Sequence, residues 1–162
     1  MGEQIHVRVA ELRSARADAV LISMGLGSCV AVLLHDPPAR VGGLSHILLP
    51  SRSLNRGGAD HLGRFPQSAI PALVTEMVAL GADPRRLVAR LVGGANMFAN
   101  LIPAGSMQMG ERNQIAVREV LSQLAIPVVA VSVGGTVGRS VWFHVADGRV
   151  VVRVIGQREQ VL

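Results

Sequence analysis

The chain has no lysine and no tyrosine, a single tryptophan and a single cysteine among its 162 residues. Each scarcity closes off a class of function. All 16 positive residues are arginine and the net charge is +5, a balance that looks suited to nucleic acid. The arginines are scattered, however, with Arg85-Arg86 the one adjacent pair, and aromatic residues make up 2%. That leaves little to stack on bases and no basic stripe to track a phosphate backbone, so nucleic acid is not an expected partner. One cysteine permits no internal disulfide, which points to a reducing, cytoplasmic setting. No apolar run approaches the roughly 18 residues of a membrane span. The opening Met1-Gly2-Glu3-Gln4-Ile5-His6 has neither the basic nor the apolar region of a secretory signal. A membrane-inserted protein is therefore not expected. Paired-cysteine spacing and H-E-x-x-H are also missing, so neither a metal nor another cofactor is expected.

What is present is a globular composition, 49% hydrophobic and 17% charged, without linker, repeat or low-complexity tract. One domain spanning 1–162 with its own core is the expectation. Residues 5–10 alternate apolar and polar and read as a half-buried strand, followed by a short strand over 19–23. Residues 29–35 are stopped too soon by Asp36-Pro37-Pro38 to be a helix and carry Val30 and Val32; 41–49 reads as the return strand. Helical spacing of Ile70, Leu73, Val74, Met77 and Leu80 predicts a helix over 66–80, closed by Gly81. A strand over 87–92, a helix over 111–124 and a strand over 127–133 follow. Strands over 140–145 and 149–155 flank Asp147-Gly148, a hairpin signal. Many strands and two helices predict a layered α/β domain, its mixed sheets covered by helices.

The chemistry gathers at the cysteine. Cys29 follows Gly25 and Gly27, where the backbone must bend tightly, and His46 follows Gly42-Gly43-Leu44-Ser45. A thiolate is a nucleophile, and a nearby imidazole makes and keeps it. If 37–40 form the hairpin loop, Cys29 lies opposite Leu48 and His46 opposite Ala31. The thiol and the ring are then diagonal neighbours on one face, about 7–8 Å apart at the backbone. A slip of one residue sends them to opposite faces. The backbone N–H groups of Gly27, Ser28 and Cys29 are candidate oxyanion donors. The plain alternative is that Cys29 is a small buried hydrophobe. His35, at the end of a strand, and His61, in a polar loop over 55–63, read as solvated; His144 can face either way.

These residues carry a family resemblance. Gly25-Leu-Gly-Ser-Cys29-Val-Ala-Val, Asp36-Pro37, Gly42-Gly43-Leu-Ser-His46-Ile-Leu-Leu-Pro50, Gly93-Gly-Ala-Asn-Met-Phe98, Gly110-Glu-Arg-Asn113, Val133-Gly-Gly135 and Gly138-Arg139 follow one another over about residues 19–154. In order and spacing they resemble the CheD family of chemoreceptor glutamine deamidases of bacterial chemotaxis. The resemblance implies a layered α/β fold like that of deamidating toxins. It also implies a cysteine hydrolase that turns glutamine side chains of chemotaxis receptors into glutamate with release of ammonia. It puts the nucleophile on Cys29, the histidine on His46 and a third, hydroxyl-bearing member on Ser23, where the family has threonine. It further implies the receptors' cytoplasmic regions as substrate and a CheC-type phosphatase as a possible second partner. Gly94 and Asn96 are candidate substrate-binding residues, Asn96 through its amide to the substrate carbonyl; the bland reading of both glycine pairs is a tight turn. Two departures replace acidic residues of the family pattern, Gln67 before the first helix and Ser132 before the second glycine pair. The competing expectation is a non-catalytic module that binds a receptor or phosphatase.

Overall fold

The strand that follows the cysteine is buried along its whole length, Val30 to Asp36. This is why its run of apolar residues does not alternate: both of its faces are covered. In the computed structural model, which describes residues 2–54, 61–101, 103 and 105–162, ten strands and two α-helices follow one another, with short 3-10 turns between some of them. In chain order they are β1 (Gln4–His6), β2 (Leu12–Arg16), β3 (Val20–Leu26), β4 (Val30–Asp36), β5 (Val41–Ile47), α1 (Pro66–Ala79), β6 (Val88–Gly93), α2 (Met109–Gln123), β7 (Val128–Val133), β8 (Arg139–His144), β9 (Val150–Arg153) and β10 (Gln160–Val161). They form two five-stranded sheets, ordered β1-β3-β8-β9-β10 and β2-β5-β4-β6-β7, each with parallel and antiparallel pairs.

The layers follow from the two faces of β4. Val30, Val32 and Leu34 pack with Ile70, Leu73 and Met77 of α1 and Val117 and Leu121 of α2. Ala31 and Leu33 turn the other way, onto Leu21, Leu26, Val141 and Phe143 of the other sheet. The order is sheet, sheet, helices. A side chain such as Leu33, 1% exposed, contributes about 1.5–3 kcal/mol by leaving water. The expected α/β layering is found.

Element by element, the expectations hold with two kinds of exception. The helix over 66–80 is α1, with Pro66 at its first turn and Gly81 beyond its end at φ +107°, which an L side chain resists. The 111–124 helix is α2, begun two residues earlier. The first strand is shorter than expected: β1 stops at His6, Val7 N still donates to the Ile22 carbonyl of β3 at 2.7 Å, and the chain then turns away, with Ala10 at φ +66°. The last long strand stops at Arg153, and Ile155 is fully exposed. Two edge strands were not anticipated, β2 and β10; both lack an apolar alternation, and β2 (Leu-Arg-Ser-Ala-Arg) exposes Arg13 and Arg16. The loop expected over 55–63 lies outside the described residues as far as 60; His61 is exposed.

His35 is not solvated. It is 3% exposed, its Nε2 lies 2.9 Å from the Val145 carbonyl, and its ring meets Phe143 edge-on at 5.7 Å. The β8–β9 turn closes over the strand end that looked open in the sequence, since a Cβ on Gly148 would stand 2.6 Å from His35 Nδ1.

Candidate functional site

The hairpin of β4 and β5 pairs Asp36 with Val41, Val30 with Ile47 and Ala31 with His46. This is the register counted from the loop, and it puts Cys29 level with Leu48, diagonal to His46. Cys29 packs against the cluster between the two sheets, the cluster that also holds Ala31. Thiol and imidazole therefore share the inter-sheet face. Cys29 is half-buried and His46 is 2% exposed.

The ring is held from the opposite sheet. Ser23, in β3 and 1% exposed, donates its hydroxyl proton to the Val7 carbonyl at 2.6 Å. His46 Nδ1 stands 3.3 Å from that carbonyl and 3.4 Å from Ser23 Oγ. A carbonyl only accepts, and the serine has spent its one proton, so both are acceptors toward Nδ1. The proton must then reside on Nδ1. His46 Nε2 keeps its lone pair and is buried with no hydrogen-bond partner among the described residues. The Val7 carbonyl was missed by sequence reasoning, because a backbone oxygen leaves no trace in residue identity.

Beside the thiol, the backbone is tied by its carbonyls. Gly27 O accepts from Ala95 N at 2.9 Å, Cys29 O from Gly94 N at 2.7 Å, and Ser28 O from Asn113 Nδ2 at 2.9 Å. The N–H groups of Gly27 and Ser28 donate to no acceptor among the described residues, and that of Cys29 faces its own sulfur. Two amides are thus left open next to a third that faces the nucleophile, an arrangement suited to cradling a developing oxyanion. Gly93 and Gly94 sit at φ +115° and +63°, and a Cβ on Gly93 would stand 2.2 Å from Cys29 O. Side chains there would drive β6 away from the thiol.

Two cavities open at the site. One of about 230 Å³ is lined by Ser28, Ala95, Asn96, Met97, Phe98 and Met109 among others; the other, about 480 Å³, includes Val7, Met24 and His46. Met97 and Phe98 are 54% and 66% exposed, an apolar rim to the first. Asn96 Oδ1 is buried without a donor. The acceptor end of this amide is thus the unsatisfied one. Gly94 touches the site through its backbone, and a Cβ there would meet Gln114 at 2.7 Å.

Electrostatics correct one detail of the expected pair. Burial pushes the Cys29 thiol above its ordinary range, with its own backbone N–H opposing. Burial likewise pushes His46 below its ordinary range, with the Val7 carbonyl and the Glu11 charge opposing. The two are not hydrogen-bonded to each other in this state. Both shifts favour the uncharged forms, thiol and neutral imidazole.

The two departures from the family pattern have visible roles. Gln67 donates to the Pro50 carbonyl at 2.8 Å. Ser132 accepts from Arg139 Nη1 at 3.1 Å and donates to Gln160 Oε1 at 2.9 Å, joining β7, β8 and β10. Among the described residues no three His, Cys, Asp or Glu side chains converge, and no helix is long and apolar enough to cross a membrane.

Comparison with known proteins gives the same direction. Residues 48–154 match the family described as CheD chemotactic sensory transduction. The chain is 42% identical over 152 residues to a probable chemoreceptor glutamine deamidase CheD of Caldanaerobacter subterraneus, covering 94% of this chain and 93% of that one. It is 41% identical to a protein of that description from Geobacter metallireducens, covering 97% of each. With one from Desulfitobacterium hafniense it shares 38% over the full length of both. Among solved structures, a Neisseria meningitidis protein of the DUF152 family aligns with a TM-score of 0.46 at 10% identity, over 83% of this chain and 63% of that one. Family match and full-length relatives agree: this chain belongs to the CheD family.

Proposed function

We propose that the protein is a cysteine-dependent deamidase that hydrolyses glutamine side chains of chemoreceptors to glutamate and ammonia. The observation that carries this reading is the state of His46. Its Nδ1–H is committed to Val7 and Ser23, while its Nε2 lone pair is buried and unpartnered on the face that holds the chain's only thiol. The names of the relatives, chemoreceptor glutamine deamidases, supply the substrate.

In the first half-reaction, Nε2 takes the Cys29 proton as sulfur attacks the carboxamide carbon. The carbonyl π pair moves to oxygen, where the amides of Gly27, Ser28 and Cys29 receive it. The imidazolium then gives its proton to the nitrogen, the C–N bond breaks, and ammonia leaves a thioester behind. In the second half, water attacks the thioester while Nε2 accepts a water proton. The C–S bond breaks and the proton returns to sulfur. One water is consumed and one ammonia released. Asn96, which lines the cavity beside Ser28, binds the substrate carboxamide in this reading. Ser23 is a positioning residue for the ring.

Residues 1–162 act as one deamidase domain in this reading, supported by the sharing of β4 between both cores. The reaction belongs in the cytoplasm, where a lone thiol stays reduced and where the receptors present their signalling regions. The +5 charge favours acidic partners. A CheC-type phosphatase is the second partner the family relation suggests.

The test is intact mass and ammonia release with a receptor cytoplasmic fragment. Wild type is expected to add one dalton per modified glutamine and Cys29→Ala none. A wild type that binds the fragment without releasing ammonia is instead a binding module, and a Cys29→Ala variant with full activity removes the thiol from the mechanism.

A further inference from the structure

Asn113 lies in the second turn of α2 and is fully buried, yet its carboxamide serves nothing in its own helix. Nδ2 donates to Ser28 O at 2.9 Å and to Leu48 O at 3.1 Å. Two carbonyls can be satisfied only by the amino end of the amide, which settles which way the side chain faces. The two carbonyls are not arbitrary. Ser28 immediately precedes the nucleophile. Leu48 lies level with Cys29 across the hairpin, two residues beyond His46.

The direction of the Ser28 carbonyl has a consequence one atom further along. In a trans peptide the C=O and the following N–H point in opposite directions, and the chain has no cis bond among its described residues. Asn113 draws Ser28 O toward the helix layer. The N–H of Cys29 is thereby turned away from the helices, toward the inter-sheet face where its own sulfur sits. That this amide acts on the sulfur is consistent with its downward pull on the thiol. We propose that Asn113 is a positioning residue for oxyanion stabilisation, aiming the Cys29 amide at the site of developing charge and lashing the nucleophile's turn to the end of the His46 strand. The inference rests on the deamidase reading and adds to it a residue outside the Cys-His-Ser group.

Cys29 is the chain's only thiol, which makes the test clean. Iodoacetamide alkylates sulfur at a saturated carbon and forms no oxyanion, so alkylation reports the thiol alone, while ammonia release from the receptor fragment also needs the aimed amide. Asn113→Ala is expected to lower kcat about 100-fold, the scale of one lost oxyanion donor. KM and the limiting rate of alkylation at high pH, where the thiol is fully ionised, are expected to stay within about twofold, since neither needs an oxyanion donor. The apparent pKa of alkylation should rise slightly as the amide's pull on the sulfur weakens. Asn113→Asp, nearly isosteric but unable to donate when ionised, is expected to lose as much. If Asn113→Ala melts below the assay temperature, Asn113→Ser takes its place; with one donor left it should lose about tenfold, corresponding to about 1.4 kcal/mol. Unchanged kcat in these folded variants overturns the inference, as does a parallel fall of alkylation and kcat, which marks a merely structural side chain. A wild type that alkylates normally but releases no ammonia removes the deamidase reading itself, and this inference with it.

Discussion

Ser23 Oγ and His46 Nδ1 stand 3.4 Å apart although they belong to different sheets, and the serine proton is already committed to the Val7 carbonyl at 2.6 Å. The hydroxyl therefore acts on the ring as an acceptor. It shares with a backbone oxygen the task of keeping the proton on Nδ1. The division of labour between side chain and backbone sets how much each can matter.

With Val7 O still in place, Ser23→Ala leaves one acceptor for Nδ1–H. We expect kcat to fall about fivefold, the rate equivalent of about 1 kcal/mol for one net hydrogen bond. KM should be unchanged, because the substrate does not touch this residue. Ser23→Thr keeps the oxygen and restricts its rotamer, so steady-state kinetics should show wild-type activity. A fall as deep as that of His46→Ala would assign the serine a direct role in proton transfer.

Burial disfavours the charged form of both thiol and ring. The Cys29 pKa lies above its ordinary range and that of His46 below. Alkylation of Cys29 by iodoacetamide should accordingly be slow near neutrality and rise with pH through an apparent pKa above the usual thiol range of about 8.5. An apparent pKa below about 7 would mean a preformed thiolate–imidazolium pair, as in strongly activated cysteines.

Stability should decline in mild acid, for a reason located partly far from the thiol. His35 and His46 are both held below their ordinary range, chiefly by burial; at His35 the Val145 carbonyl opposes this. The unfolded chain takes up protons at the ordinary histidine value of about 6.5, the folded one only at lower pH. The native advantage is complete above the ordinary range and shrinks as pH falls through it toward the folded values. Thermal melts from about pH 7.5 to 5 should show a falling midpoint. His35→Gln, which keeps a donor for Val145 O but does not titrate, should flatten that slope. An equal slope in both proteins would take His35 out of the account.

Much of this was legible in the residues, and for identifiable reasons. The four residues 37–40 between two apolar runs set the β4–β5 register, and with it the shared face of Cys29 and His46. The stop at Asp36-Pro37-Pro38 together with Val30 and Val32 announced β4 as a strand, and its burial on both sides became visible only in the fold. Gly81 marked the end of α1 because only its φ of +107° closes the turn there. What escaped was set by tertiary context. β2 holds its place at an edge by pairing with β5, although its sequence carries two arginines. His35 looked like the end of a strand at a turn and is capped by a distant hairpin. The tautomer of His46 depends on Val7 O, a backbone atom held beside β3 by the Val7 N–H bond to Ile22 O. Asn113 was visible only as part of a motif, since its two carbonyl partners lie 85 and 65 residues away.

The reactive assembly is divided between the two β-layers: sulfur and imidazole ride on one, while the groups that orient the imidazole ride on the other. The alignment of the reacting atoms is thus only as good as the mating of Leu33 and Leu44 with Leu21 and Phe143. Turnover becomes a gauge of how well the layers interlock. Heating or a trimmed core side chain that lets one layer glide past its neighbour would silence the enzyme while its secondary structure still looked intact.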